Sequence, residues 1–360
     1  MKINTVLIII QRSNGDVLLS GSLISQFNNK FKPSVIDLLV NEDTLSIAKT
    51  LPFIRYVHTF SYAKKNNNRF QQEINIIKKI YRKYDLSINL TASDRSVIYS
   101  LLASKNAISA VEKNKFKSWW KKIFLKLNYN FNIERHILHN NLKPLELLGV
   151  QYLNKLIPPN YSHSSKISIE KRLIKLGITE FIIFHPSAQY SYKILSEDLR
   201  NKLIYLLDDL NIPIVVTGGF TEIDKEIKDS LPNLPSIIDF IGETSIEEYI
   251  VLSELSKGYI GMDTLNMHIA ASQNKRIFAI FGPTNLTMWS PWSNELQVAT
   301  KNNMPIQTYG NVTVFQADMP CVACGEKGCK NNGIISECLN NISPITIFEK
   351  IEEWLLIEAL

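Results

Sequence analysis

Cysteine is scarce, with four in 360 residues, and all four lie between Cys321 and Cys338. A secreted fold held by disulfides would be shorter and richer in cysteine. No apolar run approaches the roughly 20 residues that cross a bilayer. The run Val6–Ile10 after Lys2 could be mistaken for a signal peptide, but it stops at Gln11 and Arg12 with no small-residue cleavage site. It falls short of the roughly 7–15 apolar residues of an h-region. It reads as a buried strand, and the expected location is the cytoplasm. Glycine and proline, 14 each, are too few for a collagen-like or linker-like chain. No Gly-x-Gly-x-x-Gly follows any expected strand and no Walker lysine follows a glycine-rich loop, which argues against NAD enzymes and P-loop ATPases. Excess charge is also small. Lys+Arg stand at 40 against 34 Asp+Glu, a net charge of +6 that allows an acidic partner but not a dedicated nucleic-acid binder.

What is present is ordinary globular composition, 45% hydrophobic and 21% charged, at a length that suits two domains. Thr5–Ile10 is a β-rich apolar run suited to a strand covered on both faces. The turn Ser13-Asn14-Gly15-Asp16 and a helix over Val17–Phe27 complete the opening of a βαβ unit. Expected strands at Ser34–Val40, Tyr56–Thr59 and Leu86–Leu90 alternate with helices at Thr44–Thr50, Arg69–Lys83 and Ser93–Ala103. A further helix is expected at Leu142–Leu148, and the polar, Pro-containing stretch from Pro158 to Ser165 is the candidate linker. The second half repeats the rhythm, with strands at Phe181–Phe184, Ile214–Thr217, Ile237–Phe240, Gly258–Gly261 and Arg276–Phe281. The pattern predicts an α/β protein of two doubly wound domains facing one another, residues 1–160 and 161–342. A last helix in 343–360 is expected to pack back on the N-terminal domain. Ligands of such sheets bind at the carboxyl ends of the strands.

Three segments place polar groups at those ends. Asp16 follows the first strand, either as a helix N-cap or as a general base that takes a proton from an attacking hydroxyl. Ser187 and Lys193 follow His185-Pro186. A hydroxyl and an ammonium there suit a phosphate, though a cap and a solvated lysine explain them as well. In Gly261-Met262-Asp263-Thr264-Leu265-Asn266-Met267-His268 a strand runs directly into a helix, whose N-terminal N–H groups favour a diphosphate. His268 lies four residues after Thr264 and faces the same side.

The segment Asp263–Ala271, followed by Phe281-Gly282-Pro283-Thr284, resembles the signature of glycosyltransferase family nine, the bacterial lipopolysaccharide heptosyltransferases. Leu7–Leu19 with Gly15-Asp16 resembles that family's N-terminal motif, and Pro186, Ser187 and Lys193 its donor-phosphate segment. Trp289-Ser290-Pro291-Trp292 and the cysteine segment are most similar to the heptosyltransferase III subgroup. The resemblance spans nearly the whole chain, with two departures: Leu265, and Ser187 itself, stand where members often have Gly. It implies a GT-B architecture, two Rossmann-like domains with a cleft between them. The first would bind the acceptor and the second the nucleotide sugar. It also implies an inverting, metal-independent transfer of heptose from ADP-heptose to a sugar hydroxyl of the lipopolysaccharide inner core. By position Asp16 matches the base. Ser187, Lys193, Thr217, Gly218, Glu222, Asp263, Thr264 and His268 fall to the donor, with Glu222 on the ribose hydroxyls.

Two features lie outside that set. The spacing Cys321-x2-Cys324-x4-Cys329-x8-Cys338 suggests a tetrahedral structural zinc or iron site, against the alternative of four reduced thiols in a loop. Between Lys113 and Leu127, Lys115, Lys117, Lys121 and Lys122 surround Trp119 and Trp120. That reads either as a solvated amphipathic helix or, as favoured here, as a surface for the anionic acceptor and the periphery of the inner membrane. Rival functions are the same fold with another donor sugar or a protein acceptor, a nucleotide-sugar epimerase, and a non-enzymatic membrane-associated binding protein.

Overall fold

Two parallel sheets organise the chain. The computed structural model describes residues 3–63 and 65–358, and the chain divides into two compact units, Met1–Asn160 and Tyr161–Leu360. In the first unit β1 (Thr5–Ile10), β2 (Val35–Asn41), β3 (Tyr56–Phe60), β4 (Leu86–Asn89), β5 (Ala107–Val111) and β6 (Leu127–Asn130) form a six-stranded sheet of order β3-β2-β1-β4-β5-β6. All its neighbours are parallel. Val6 to Ile10 are buried, as an apolar run between two layers of helices demands.

The second sheet holds β7 (Ile182–His185), β8 (Ile214–Val216), β9 (Ile237–Asp239), β10 (Gly258–Met262), β11 (Arg276–Ile280), β12 (Ile306–Tyr309) and β13 (Val312–Phe315), in the order β12-β13-β11-β10-β7-β8-β9. Only β12–β13 is antiparallel. Through its six parallel strands this sheet repeats the order of the first. Each unit is therefore a Rossmann-like doubly wound sheet, with its order reversing between β1 and β4 in one and between β7 and β10 in the other. Close approach at the second reversal depends on Gly261, where a Cβ would collide with the His185 carbonyl oxygen.

Several local expectations are corrected. The first helix begins at Asn14 rather than Val17 and breaks at Ser20, giving Asn14–Leu19 and Gly21–Phe31. Strands β5, β6, β12 and β13 were not expected. The helix expected at Leu142–Leu148 starts at Ile137 and carries Pro144 inside it. The last helix, Pro344–Glu358, lies within the second unit. Ile347, Ile351 and Trp354 enter that unit's core and Trp354 packs on Phe278, with ring centroids 5.6 Å apart. Its apolar stripe is thus covered by the core of its own unit.

Candidate active site

In the first unit the chain leaves β1 through Gln11 and Arg12 and enters the helix Asn14–Leu19 at the point where the strand order reverses. Ser13 is the N-cap and Asp16 is the third helical residue, so Asp16 is not itself the cap. The two close a capping box: the Ser13 hydroxyl donates to Asp16 Oδ2 at 2.6 Å and the Ser13 N–H to the same oxygen at 3.3 Å. Arg12 Nε lies 2.8 Å from Oδ1. Asp16 is 4% exposed. Burial raises its pKa above the ordinary aspartate value, opposed by the Arg12 charge and the Ser13 hydrogen bonds. Arg12 is oriented in turn, its guanidinium 4.6 Å from the centre of the Phe131 ring. The site residues Arg12 and Ser13 were not singled out from sequence. The Ser-x-x-Asp spacing after a strand was the available signal.

In the second unit three neighbouring strand ends, those of β10, β7 and β8, carry the polar groups. Lys193 sits in a short turn, Ser191–Lys193, with its ammonium 3.2 Å from Asp263 Oδ2 and partly open to solvent. Thr264 is the N-cap of the helix Leu265–Ser272 and makes no side-chain cap bond. Its hydroxyl lies 3.4 Å from the Tyr259 hydroxyl. The first N–H groups of that helix are therefore left without the usual side-chain acceptor, beside a cation. His268, one turn on, is buried, and Nδ1 has no hydrogen-bond partner. Burial lowers its pKa to about 4, so the ring is neutral near pH 7. The structure thus brings Lys193, Asp263 and Thr264 together, with His268 behind them.

The remaining expected donor residues are placed differently. Asp224, not singled out from sequence, is the centre of the β8 end. It accepts from the Ser187 hydroxyl (2.5 Å), the Gly219 N–H (2.7 Å), the Thr221 N–H (2.8 Å) and the Thr221 hydroxyl (2.5 Å). Burial opposes its ionisation, but those hydrogen bonds outweigh burial and hold its carboxyl below the ordinary range. Ser187 is buried and its hydroxyl is committed to Asp224 rather than open to a phosphate. Gly218 serves the same residue, since a Cβ there would meet Asp224 Oδ1 at 2.8 Å. Thr217 is buried against His185 Nδ1 at 3.0 Å, and Asn266 Nδ2 lies 3.1 Å from that nitrogen. Glu222 is the first residue of the helix Glu222–Asp229 and is exposed. Thr221-x-x-Asp224 is again a capping box, the signal that could have found Asp224.

Two further expectations are corrected. Cys321 and Cys324 are exposed, Cys329 is half-buried and Cys338 is buried. Among the described residues no group of three side chains stands ready to hold a metal ion, so the expected tetrahedral zinc or iron site finds no support, although the other three thiols lie near enough to Cys338 to act on its charge. Cys338 packs in the core with Leu339, and burial pushes its thiol up to about 11. Cys329 Sγ accepts the Glu337 N–H at 3.2 Å.

The basic segment forms the helix Lys115–Phe124. Lys121, expected on its binding surface, is fully buried: its ammonium meets Asp94 and Glu112, each at 2.7 Å, and donates to the Ala92 carbonyl. Trp120 packs against the cluster of Val97, Ala107, Val111 and Leu125. Lys117, Trp119 and Lys122 are exposed, together with Phe116, Ile123 and Phe124. The side chain of Lys115 lies outside the described residues. Among the described residues no helix is long and apolar enough to cross a membrane.

Comparison with known proteins adds three findings. The model of glycosyltransferase family 9 (heptosyltransferase) matches residues 74–317. A lipopolysaccharide heptosyltransferase 3 of Escherichia coli is 26% identical over 293 residues, covering 79% of this chain and 85% of that protein. Two solved structures share the fold. The E. coli ADP-heptose lps heptosyltransferase II has a TM-score of 0.71 at 17% identity and covers 99% of this chain and 100% of its own. The E. coli heptosyltransferase WaaC with ADP has a TM-score of 0.70 at 16% identity and covers 97% and 99%.

Proposed function

The chain belongs to glycosyltransferase family 9, the heptosyltransferases, and from that premise we propose that it transfers heptose from ADP-heptose to a sugar hydroxyl of the lipopolysaccharide inner core, with inversion and without a metal. The observation that carries the donor half is the Lys193 ammonium beside Asp263 at the uncapped start of the helix Leu265–Ser272. A diphosphate there gains a cation and free N–H donors, and the charge that develops as ADP departs is stabilised by the same groups. His268, neutral and buried, supplies a donor or acceptor without adding charge. Asp224 holds the β8 turn and Ser187 in place.

Asp16 is the proposed base. Its raised pKa makes it a better proton acceptor than an exposed aspartate. The acceptor oxygen forms its bond to the anomeric carbon as the carbon–oxygen bond to ADP breaks. The hydroxyl proton passes to the Asp16 carboxylate. Arg12 and Ser13 keep that carboxylate oriented.

We also propose contact with an anionic membrane surface through the helix Lys115–Phe124. Phe116 is 91% exposed and Trp119, Ile123 and Phe124 are each more than 60% exposed, with Lys117 and Lys122 alongside. Such a face suits the headgroup region of a bilayer. This proposal retains the cytoplasmic location expected from sequence.

The test is a mass-spectrometric transfer assay with ADP-heptose, a truncated core lipopolysaccharide and excess chelator. The proposal predicts a gain of one heptose by mass and, in the NMR spectrum of the product, an anomeric configuration opposite to that of the donor. ADP-heptose binding without transfer would point to another acceptor, and absence of binding would remove the donor assignment.

A further inference from the structure

A cavity lies far from Asp16, at the other end of the first sheet. It has a volume of about 540 Å³ and is walled by the first residues of three strands, Thr5 of β1, Val35 of β2 and Tyr56 of β3. Asp16 lies beyond the opposite end of β1, roughly 20 Å away at about 3.3 Å per residue.

Four groups at this cavity form a chain. Asp37 is 1% exposed and is ion-paired with Arg55, whose Nε donates to Oδ1 at 3.0 Å. The Tyr84 hydroxyl donates to Asp37 Oδ2 at 2.7 Å. The one hydroxyl proton of Tyr84 is thereby used, so its oxygen accepts from His58 Nε2 at 3.1 Å. This places the proton of the neutral imidazole on Nε2 and leaves Nδ1 as a bare lone pair. His58 is 8% exposed, lines the cavity, and Nδ1 has no partner. The ring is edge-on to Tyr56, with centroids 4.8 Å apart.

The charges around the imidazole are unequal. Asp37 is matched by Arg55. Lys79 and Lys83 also line the cavity, are exposed, and stand outside the ion pairs of the described residues. Burial, and after it these three cations, lower the His58 pKa to about 4 against the pull of Asp37. Two unpaired ammonium groups thus line the cavity, and His58, a residue of its wall, keeps a buried acceptor, Nδ1, that lacks a donor. Spectator anions such as sulfate satisfy the first requirement only. A phosphate group, which still carries a proton on one oxygen near pH 6, satisfies both.

We propose that this cavity binds a phosphate monoester or inorganic phosphate, held by Lys79 and Lys83, with one phosphate oxygen sharing its proton with His58 Nδ1. The cavity volume leaves room for a sugar attached to the phosphate, with the half-exposed ring of Tyr56 as a wall. The proposal is independent of the transferase reading, because none of these residues belongs to the donor or base sites.

The experiment is titration calorimetry on the intact chain near pH 6 with inorganic phosphate, glucose 6-phosphate and sulfate. Phosphate is expected to bind saturably and sulfate about ten-fold more weakly. Lys79→Ala with Lys83→Ala, both at exposed positions, is expected to weaken phosphate about ten-fold. His58→Gln is expected to erase the preference over sulfate. Tighter binding of glucose 6-phosphate than of inorganic phosphate identifies an ester as the ligand, and the reverse identifies free phosphate. No saturable binding, equal binding of sulfate by the unaltered chain, or binding untouched by the double lysine substitution would overturn the proposal.

Discussion

The two sheets share one strand order and differ in what they place where that order reverses. After β1 the first unit sets a single buried carboxylate, Asp16, held by Arg12 and Ser13. After β7, β8 and β10 the second unit sets a cation, an uncapped helix start and two buried histidines. Topology chose the location in both cases, and residue type chose the chemistry. In the proposed function the first end takes a proton and the second holds an anion.

That contrast can be broken by substitution. The largest expected effect belongs to Asp16→Asn, which keeps an oxygen for Ser13 but removes the proposed base. It should lower kcat by roughly 10²–10⁴-fold and leave the Kd for ADP-heptose unchanged, as steady-state rates and calorimetry would report. In the unaltered enzyme the rate should fall with decreasing pH through a pKa above the usual aspartate value, because burial raises Asp16. A fall only at or below that usual value would sever the link between burial and catalysis.

Lys193→Ala should act on the other side of the comparison, raising the Kd for ADP-heptose by roughly ten- to a hundred-fold. A Kd within two-fold of the unaltered value, measured by the same calorimetry, would remove Lys193 from the donor site.

A smaller effect separates two adjacent lysines. Lys121→Ala leaves Glu112 and the Ala92 carbonyl without their ammonium and should cost about 2 kcal/mol of unfolding free energy, discounted for the exposure of Asp94. Lys122→Ala, on the exposed side, should change stability by less than about 0.5 kcal/mol. Chemical denaturation distinguishes them.

The smallest concerns Asp224. Its folded-state pKa is depressed, so its contribution is fully present above the unfolded aspartate value, about 3.9, and is lost as pH falls through the lower folded value. Asp224→Asn should flatten the stability–pH curve in that acidic range. A curve of unchanged slope would mean that its four hydrogen bonds carry no net stabilisation.

The sequence made β1 legible because the five consecutive apolar residues Val6–Ile10 fit a short strand buried on both faces. Strand β6, Leu127-Asn128-Tyr129-Asn130, was not legible. It is a four-residue edge strand with only Tyr129 buried, too short for its alternation to stand out. The β12–β13 hairpin did leave a sign, since Gly310-Asn311 separates two β-rich runs by two residues. In the site, Asp263 and Thr264 were legible as candidates because they follow β10 directly, and Lys193, eight residues beyond the end of β7, because it trails His185-Pro186-Ser187 in a segment that resembles the family's donor-phosphate motif. Asp224 was passed over for Glu222, two residues earlier. Both are acidic residues at one helix start, and only the capping geometry turns one inward and leaves the other in solvent. Lys121 was grouped with its neighbours because composition does not report which face of a helix meets Asp94 and Glu112.

The most direct measurement of the central claim is the parallel determination of kcat and ADP-heptose Kd for Asp16→Asn and Lys193→Ala. The account predicts a crossed result: Asp16→Asn loses turnover with the Kd intact, and Lys193→Ala loses affinity. Equal loss of donor affinity in both variants would contradict the division of labour between the two sheets.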